Sequence, residues 1–396
     1  MSKVLFLYER MMPTVADMRE RFKDIFSQDQ EAVEHRFLSV KDINKKDLSW
    51  FDVLVLIRPD NYLSYKIASI AAKHHKTIIF FMDDDLLNIP KKVLPSIPWR
   101  IKSLKKNIIL ADVFLSPSDY ILDKYVEKTT GKRRVRIDTA ISQEEIALLA
   151  NDKKLNDKVK IVYAAGGDHG KLFEEYLKPI LPELDEKYAD KISLTFFGVK
   201  PNINPEDYKM AIDFIPSMPL QEYRQKMIAS NFDIGLAPLH NDDFSKCKYF
   251  NKYIEYVLTG VVGIYSNVEP YTYVVKDGEN GFLADNEPQS WLIKISEAIE
   301  SDERQRILNN SKKHIIDHFK SEKIASMLKK SIPEFYQSEG KETIKVSIAF
   351  SKIKYKIFRV FDTIYLVFYY LKRDGLKGLF GRIKYHRQEN KSIKGM

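Results

Sequence analysis

The residues of this chain best suited to chemistry lie in one segment, where three lysines precede a glutamate. They are Lys246, Lys248, Lys252 and Glu255, around the start of a helix-like run over residues 249–258. Unpaired N–H groups give a helix N-terminus a partial positive charge that attracts phosphate. Cations and a carboxylate at such a start are therefore suited to holding a diphosphate and a ribose. A solvated basic helix packed on a sheet has the same spacing, because runs of charge are often simply exposed surface.

The residues that follow extend this pattern into a recognisable order. Glu255 is followed by Gly260, a short apolar strand at 261–266 and the turn DGENGFL at 277–283. With Lys252 three residues before Glu255, this order resembles the donor-binding segment of retaining GT-B glycosyltransferases of the glycosyl transferase group 1 (family 4) type. The stretch DIGLAPL, just upstream, is similar to the same family. The resemblance implies that Glu255 contacts the nucleotide ribose.

The chain departs from that family at one position of the motif. Many members carry a second glutamate eight positions before the one that matches Glu255, and this chain has Cys247 there. Sugar contacts assigned to that glutamate do not carry over, so the resemblance is to a divergent branch. Asn267, in the polar turn after the short strand, completes the donor-binding residues expected in this segment.

A glycine-rich loop supplies a second candidate phosphate site. Strand-like residues 160–164 lead into Gly166-Gly167, with His169 and Lys171 close behind. Glycines between a strand and a helix let backbone N–H groups approach a phosphate, although any tight turn favours glycine. In family-4 enzymes this loop faces the donor diphosphate, and the resemblance implies that Lys171 or His169 provides positive charge beside it.

Three consecutive carboxylates, Asp83-Asp84-Asp85, directly follow a buried strand-like run over residues 77–82. Like charges this close raise one another's pKa, so a metal ion or the hydroxyl groups of a sugar would explain them. Asp85 would also serve as an ordinary helix N-cap. The resemblance aligns Asp83 with a family histidine and Asp84 with a family aspartate near the reacting sugar. We therefore predict catalytic roles for Asp83 and Asp84, although the histidine is missing.

The composition argues against a metal or a cofactor. A single cysteine excludes an internal disulfide and a cysteine-based cluster, and the eight histidines form no ligand motif. Asp83 and Asp85 have the Asp-x-Asp spacing of metal-dependent GT-A enzymes. Those enzymes have one principal nucleotide-binding sheet, however, whereas this sequence predicts two. We expect no metal and no cofactor, with the nucleotide-sugar acting as a substrate.

Strand-like runs alternate with amphipathic helical stretches, and the runs are continuously apolar, which predicts strands covered on both faces. This pattern is typical of α/β proteins with doubly wound parallel sheets, whose strand carboxyl ends share one edge. Together with the resemblance it predicts a GT-B architecture, in which two Rossmann-like doubly wound domains face a cleft. Residues 1–150 form the acceptor domain and 158–320 the nucleotide-sugar-binding domain, joined by a polar linker. Residues 321–340 form a helix that returns to the first domain.

Residues 341–396 form a basic amphipathic helical tail. They carry 14 Lys/Arg and 4 Asp/Glu, a net charge of +10, whereas residues 1–340 carry −1. Charge confined to a tail argues against a nucleic-acid enzyme. Its apolar positions recur at helical spacing with a break at Asp374-Gly375, and no run reaches the ~20 residues of a membrane-spanning helix. Such a helix is typical of an interfacial membrane binder, with packing on the chain's own body or on a second subunit as the alternative. The expected membrane contacts are Lys356, Phe358, Phe361, Phe368, Lys372, Arg373, Leu379 and Phe380.

The residues and the resemblance together imply a glycosyltransferase that moves a sugar from a nucleotide-sugar to a cell-envelope polysaccharide or lipid-linked glycan. The resemblance implies retention of the anomeric configuration, and Lys248, Lys252 and the Gly166-Gly167 loop would neutralise the departing diphosphate without a metal. We expect a cytoplasmic protein, peripheral at the inner face of the plasma membrane, with an anionic membrane surface and no nucleic acid as partner. The alternatives are a non-catalytic nucleotide- or sugar-binding protein on the same scaffold, or a two-domain phosphorylase or epimerase.

Overall fold

The chain folds into two compact units. In this computed structural model, the residues described are 1–28, 33–89, 95–126, 131–149, 156–166, 170–198, 200–338 and 344–394. The side chains of residues 220, 221, 377, 379 and 381 onward lie outside that description. Unit 1 comprises Met1–Ala140 and Ser321–Met396, and unit 2 comprises Ile141–Lys320.

Unit 1 is built on a six-stranded parallel sheet. Its strands are β1 (Lys3–Tyr8), β2 (Glu34–Ser39), β3 (Val53–Ile57), β4 (Thr77–Phe81), β5 (Val113–Ser116) and β6 (Arg133–Arg136). They lie in the order β2-β1-β3-β4-β5-β6, and every neighbouring pair is parallel. The central strand β3 is buried along its whole length and β4 everywhere except at Thr77, since helices cover both faces of the sheet.

The helices of unit 1 come from both ends of the chain. They are α1 (Pro13–Ser27), α2 (Lys45–Leu48), α3 (Tyr62–Lys73), α4 (Pro98–Leu110) and α5 (Asp119–Val126), and then, after unit 2, α14 (Ser321–Ser331) and α15 (Ala349–Lys394). Ile324, Ala325 and Leu328 of α14 belong to the same buried cluster as α1 and one face of the sheet. The chain therefore returns to unit 1 after completing unit 2.

Unit 2 repeats the architecture with a second six-stranded parallel sheet. Its strands are β7 (Val159–Ala165), β8 (Ile192–Gly198), β9 (Ala211–Pro216), β10 (Ile234–Ala237), β11 (Val262–Ser266) and β12 (Phe282–Ala284), in the order β12-β11-β10-β7-β8-β9. Along β7, Ile161 and Tyr163 enter one buried cluster, whereas Val162 and Ala164 enter another. This alternation places a separate hydrophobic core on each face of the sheet.

The helices of unit 2 form those two covering layers. They are α6 (Gln143–Leu149), α7 (Gly170–Leu172), α8 (Leu181–Tyr188), α9 (Leu220–Ser230), α10 (Asp243–Lys246), α11 (Asn251–Leu258), α12 (Pro288–Glu300) and α13 (Arg304–Phe319). A π-helical turn, Phe173–Leu177, and a 3-10 turn, Lys178–Ile180, join α7 to α8. Further 3-10 turns span Pro205–Asp207, Tyr271–Tyr273 and Pro333–Phe335.

The predicted α/β class with two doubly wound parallel sheets is confirmed, as is the helical tail. Two strands were not predicted. The edge strand β2 reads EHRFLS and is only partly buried, so it lacks a continuous apolar run, and β12 has three residues. The predicted break in the tail is present as well, because Gly375 has a non-helical φ of 64° inside α15.

Candidate functional site

The strand order of unit 2 marks where a ligand is expected to bind. The order runs outward from β7 through β8 and β9 on one side, and from β10 through β11 and β12 on the other. In open parallel sheets, ligands bind outside the carboxyl ends of the strands where the order reverses. That point lies between β7 and β10, so the loops after these strands and the start of α11 border it.

Two of the predicted residues meet in the first turn of α11. The Lys252 ammonium lies 2.7 Å from Oε1 of Glu255, and their side chains are 28% and 22% exposed. The Tyr223 hydroxyl, from α9, donates a hydrogen bond to the same Oε1, and Lys252 Nζ donates to this hydroxyl at 3.2 Å. Groups from two helices therefore converge on one carboxylate oxygen at the carboxyl edge of the sheet.

Glu255 keeps one oxygen available for a ligand. Both of its hydrogen bonds are made by Oε1, and within the described residues Oε2 accepts none. A fixed carboxylate with an open oxygen is suited to accepting O–H donors such as ribose hydroxyls. Burial and the Glu255 charge both raise the pKa of Tyr223, so its hydroxyl stays protonated and continues to donate. Sequence reasoning missed Tyr223, because it lies on another helix and belongs to no motif.

Cys247 and Lys248 have different roles at this edge. Cys247 is fully buried, and its Sγ donates to the carbonyl oxygen of Asp243 at 3.1 Å, which closes the short helix α10. It therefore supports the local packing at the position where the family has a glutamate. Lys248 is half-buried with its ammonium 5.5 Å from the Phe244 ring, and it forms no ion pair with any described residue. Its charge is available to an anion.

The remaining donor-site predictions lie along the same edge. Gly166 follows β7 and is exposed, and Lys171 is an exposed residue of α7. Asn267 is exposed after β11, and its Nδ2 donates to Oδ1 of Asp285 at 2.9 Å. Gly167 and His169 lie outside the described residues. Among the parts of the chain that the structure describes, no hydrogen bond or ion pair joins any of these residues to Glu255.

A polar pair that no motif indicated lies beside the point where the strand order reverses. His240 follows β10, and its Nδ1 lies 3.3 Å from the Tyr176 hydroxyl and 3.9 Å from the Glu175 carboxylate. Burial and the Glu175 charge raise the pKa of Tyr176 to about 12. His240 comes directly after the DIGLAPL stretch, so the sequence offered a signal for it. No motif indicated its partners Tyr176 and Glu175, which lie on the helical segment after β7.

In unit 1, the predicted catalytic carboxylates are held by an arginine. Arg58 donates to both oxygens of Asp83 at 2.5 and 2.7 Å and to Asp84 at 2.6 Å, and the Thr14 hydroxyl donates to Asp83 at 2.9 Å. Although burial opposes the charged form, the two carboxylates raise the pKa of Arg58. Arg58 follows β3 with a left-handed φ of 47°. The repulsion expected between Asp83 and Asp84 is therefore relieved by a fixed guanidinium.

Asp85 is separate from this pair. It is buried and accepts hydrogen bonds from Asn88, Lys124 and Tyr125. A turn follows it and no helix begins there, so its interpretation as a helix N-cap was wrong. Within the described residues, no group of three or more His, Cys, Asp or Glu side chains could hold a metal ion.

The basic tail helix docks on unit 1 through an ionic network. Arg100 of α4 lies 2.8 Å from Glu9, 2.9 Å from Asp60 and 2.7 Å from Asp362 of α15. Arg359 of α15 lies 3.2 Å from Glu9. Because Glu9 and Asp60 follow β1 and β3, this network fixes α15 at the carboxyl edge of the first sheet.

Aromatic contacts complete the docked face of α15. The Phe358 ring lies 5.5 Å from Tyr62 and 6.5 Å from Trp99, and the Trp99 indole N–H donates to Asp362 at 2.7 Å. The Tyr365 hydroxyl donates to the carbonyl oxygen of Ser96 at 3.2 Å. Phe358, predicted as a membrane contact, thus packs on the body of the protein.

The opposite face of α15 is exposed and apolar. Phe361 is 49% exposed and Phe368 and Phe380 are each 66% exposed, while Lys356 and Lys372 are also exposed. Ile353, Ile357, Val360 and Ile364 continue this apolar face, and Leu376 and Phe380 are exposed beyond the break at Gly375. Arg373 pairs with the neighbouring Asp374 at 2.6 Å, and the Leu379 side chain lies outside the described part of the chain. No helix in the described residues is both long and apolar enough to cross a membrane.

No protein-family model and no curated protein sequence matches the chain. Solved structures do match it over most of its length. HepE from Anabaena, in complex with UDP and glucose, is 13% identical with a TM-score of 0.56, covering 84% of this chain and 100% of its own. Sucrose-phosphate synthase from Thermosynechococcus elongatus is 12% identical with a TM-score of 0.58, covering 85% and 99%. A putative UDP-N-acetylglucosamine 2-epimerase from Listeria monocytogenes is 10% identical with a TM-score of 0.51, covering 86% and 99%.

The chain has the GT-B fold. In this GT-B chain, the Lys252–Glu255–Tyr223 cluster belongs to the second Rossmann-like unit, and the Arg58-bound carboxylates and α15 belong to the first. Identity near 12% leaves the reaction to be argued from the site, because proteins of one fold carry out different chemistry.

Proposed function

We propose that this protein is a glycosyltransferase that takes its sugar from a nucleotide-sugar bound on unit 2. The observation that carries the proposal is the Lys252–Glu255–Tyr223 cluster at the carboxyl edge, beside the reversal of strand order. Oε2 of Glu255 is suited to the ribose hydroxyls. Lys248 and Lys252 are suited to the diphosphate, since both lie at the start of α11, where the helix dipole adds positive charge.

The proposed chemistry is charge neutralisation of a leaving nucleoside diphosphate. As the bond from the sugar to the diphosphate breaks, negative charge grows on the leaving oxygen. The free ammonium of Lys248 stabilises that charge, together with Lys252, Lys171 and the backbone after β7. These groups would supply the positive charge that a metal supplies elsewhere, and we propose a metal-independent reaction. Retention at the anomeric carbon is proposed from the likeness of the Lys252–Glu255 segment to retaining enzymes.

Two neighbours support the nature of the donor. HepE was solved with UDP and with UDP-glucose, and the name of sucrose-phosphate synthase denotes a sugar-transferring enzyme. The epimerase neighbour has a UDP-sugar in its name as well, although the reaction that its name gives is different. For the acceptor end, we propose that Asp83 and Asp84 accept hydrogen bonds from sugar hydroxyls while Arg58 fixes their positions.

We propose further that the acceptor is a lipid-linked or cell-envelope glycan and that the protein works at an anionic membrane surface. The support is the set of exposed phenylalanines of α15, Phe361, Phe368 and Phe380, together with exposed lysines of the same helix. Aromatic side chains enter the interfacial region of a bilayer, and each basic residue near an anionic surface adds ~1 kcal/mol of attraction. A cytoplasmic protein, peripheral at the inner face of the plasma membrane, fits this arrangement.

A screen of nucleotides and nucleotide-sugars tests the function. We expect UDP or GDP and the corresponding nucleotide-sugars to raise the melting temperature. We also expect one nucleotide-sugar to release its nucleoside diphosphate when a glycan acceptor is added. A thermal shift without nucleotide release from any donor would favour the non-catalytic alternative. The absence of any shift with every nucleotide would overturn the proposed donor site.

A further inference from the structure

A cation-lined cavity lies in unit 1. It has a volume of about 310 Å³ and is lined by Glu9, Arg10, Lys41, Lys352, Tyr355, Lys356 and Arg359. Arg10 follows β1, Lys41 follows β2, and the last four residues belong to α15. The volume is at the lower end of the range for small-ligand sites, roughly 300–1,000 Å³. Five of the seven lining residues are cationic.

Helical spacing sets one wall of this cavity. Lys352, Tyr355, Lys356 and Arg359 lie three or four residues apart, so they share one face of α15. Tyr355 is buried, and its hydroxyl donates to Oε1 of Glu9 at 3.0 Å. The docked helix therefore presents its cations toward the loops that follow β1 and β2.

The only carboxylate in the lining is already committed. Glu9 accepts hydrogen bonds from Arg100, Arg359 and Tyr355. Its negative charge positions Arg359 and balances Arg100, so it does not neutralise the remaining cations. Arg10, Lys41, Lys352 and Lys356 form no ion pair with any residue that the structure describes. Partial burial and the nearby Arg359 lower the pKa of Arg10, as expected where positive charge is crowded.

The position of the cavity indicates the kind of anion. The strand order of unit 1 reverses between β1 and β3, so the loop carrying Arg10 borders the ligand-binding edge of this sheet as well. The same stretch of α15 carries the exposed Ile353, Ile357 and Phe361 on its other face. A group held beside these cations would therefore lie close to the apolar face that we assign to the membrane.

We propose that this cavity binds the phosphate or diphosphate group of a lipid at the membrane surface. Arg359 supplies a planar guanidinium that can bind two phosphate oxygens, and the lysines add point charges around it. The proposed binding of a phosphate or diphosphate rests only on the residues of the cavity. The assignment of that phosphate to a lipid rests on the proposed membrane function.

Inorganic pyrophosphate tests the chemistry of the cavity. All proteins carry Lys248→Ala and Lys252→Ala. These substitutions remove the proposed donor site from the measured pyrophosphate binding. In this background, the variant Lys41→Glu/Lys356→Glu reverses two exposed charges of the cavity. The control Lys23→Glu/Lys73→Glu reverses two exposed charges late in α1 and α3, toward the opposite edge of the sheet. We expect calorimetry at low salt to show pyrophosphate binding that weakens at least tenfold in the cavity variant and less than twofold in the control. Equal weakening of both, or no binding to the background protein, would overturn the proposal.

Vesicles test the source of the phosphate. The same proteins are floated with phosphatidylcholine vesicles that contain phosphatidic acid, or phosphatidylserine at matched surface charge. Because Lys356 is also an expected membrane contact, the informative result is the difference between the two lipids. We expect the cavity variant to lose more flotation on phosphatidic acid, whose phosphate is exposed as a monoester, than on phosphatidylserine, and an equal loss on both would contradict a lipid phosphate in the cavity. If the cavity variant binds pyrophosphate weakly yet floats like the control on both vesicles, the ligand is a soluble phosphate and the lipid source is wrong.

Discussion

Glu255 and Asp83 are both carboxylates at a sheet edge, but their partners leave them suited to different tasks. Both hydrogen bonds to Glu255 fall on one oxygen, which leaves the other open toward a ligand. Both oxygens of Asp83 are bonded to Arg58, and one also accepts from Thr14. Glu255 therefore has an oxygen available for the ribose contact that we propose, whereas both oxygens of Asp83 are held by Arg58.

Tyr223 gives the sharpest prediction at the proposed donor site, because it is uncharged and contacts Glu255 through a single hydrogen bond. Tyr223→Phe removes one hydrogen bond to the carboxylate and leaves Lys252 in place. Hydrogen bonds to charged groups contribute ~1.5–3 kcal/mol. Because Lys252 still holds the carboxylate, we expect only a three- to tenfold loss of nucleotide affinity, measured by calorimetry. The same bond is present without a ligand, so thermal unfolding should also show a modest fall in the unliganded melting temperature. Unchanged affinity would mean that Tyr223 does not position Glu255 for the nucleotide.

Arg58 yields a prediction that separates charge from backbone strain. Arg58→Ala leaves Asp83 and Asp84 without their guanidinium, and we expect a loss of about 2 kcal/mol or more in the free energy of unfolding. Arg58 also has a left-handed φ of 47°, where alanine costs ~1 kcal/mol more than glycine. Arg58→Gly should therefore be less destabilised than Arg58→Ala by about that amount in urea unfolding. Equal stabilities would rule out strain at this position.

At the residue scale, the sequence predicted what lies within one motif and missed what the fold assembles. Lys252 and Glu255 are three apart, so helical geometry alone brings them together. Tyr223 and Arg58 lie 32 and 25 residues from the carboxylates they bond. Those contacts depend on which loops share a sheet edge. Spacing along the chain cannot reveal them.

Among the elements, α11 and α13 of unit 2 are joined by a contact that should depend on pH. The His314 ring on α13 lies with Nδ1 2.9 Å from the Tyr253 hydroxyl on α11. Burial, and then the charges of His318 and Lys276, lower the pKa of His314 from 6.5 to about 4. An unfolded chain therefore takes up a proton at this histidine before the folded chain does. The contribution of this histidine to the free energy of unfolding is fully present above pH 6.5 and is lost as the pH falls toward 4.

The matched variants for this contact are His314→Gln and His318→Gln. Because the His314 side chain is partly exposed, we expect its pH-dependent contribution to be only ~1 kcal/mol. His314→Gln should flatten the fall in the free energy of unfolding between pH 6.5 and 4. His318→Gln changes an exposed residue one turn further along α13, and this variant should retain most of that pH-dependent fall. Urea unfolding across this pH range measures both, and identical slopes would contradict the assignment.

The apolar pattern of each element decided how well it could be predicted. Strands such as β3 and β4 are buried on both faces and read as unbroken apolar runs. The edge strand β2 is half-exposed and reads as mixed polar and apolar. The apolar spacing of α15 predicted an amphipathic helix, but that spacing does not show which face of the helix packs on unit 1. Asp362 and Phe358 turn one face toward Arg100 and Tyr62, and the phenylalanines at 361 and 368 are left outside.

For the whole molecule, the docking of α15 explains where the uneven charge of the sequence lies in the fold. Residues 1–340 carry a net charge of −1, and the tail carries +10. The tail could have been a free appendage. Instead it forms part of unit 1, with its ionic network at the strand ends and its apolar face outward. The basic residues of α15 whose side chains are described therefore belong to unit 1.

The membrane proposal predicts the effect of removing two exposed rings. Phe361→Ser/Phe368→Ser alters residues that are 49% and 66% exposed, so the fold should remain intact. Burying a phenylalanine contributes ~1.5–3 kcal/mol, and we expect at least a tenfold loss of flotation with anionic vesicles. Phe214→Ser/Ile293→Ser, which changes exposed apolar residues of unit 2, serves as the control. Equal flotation of the two variants would exclude α15 as the membrane contact.

The most direct test is a calorimetric titration of UDP and of GDP into three proteins. They are the natural chain, Lys248→Ala/Lys252→Ala at the carboxyl edge of unit 2, and Lys158→Ala/Lys191→Ala, whose exposed lysines precede β7 and β8 at the amino edge. We predict that one of the nucleotides binds the natural chain and the amino-edge variant alike. We predict that it binds the carboxyl-edge variant at least tenfold more weakly, a change of ~1.4 kcal/mol. Equal affinity for all three proteins, or equal loss in both variants, would contradict a diphosphate site at the start of α11.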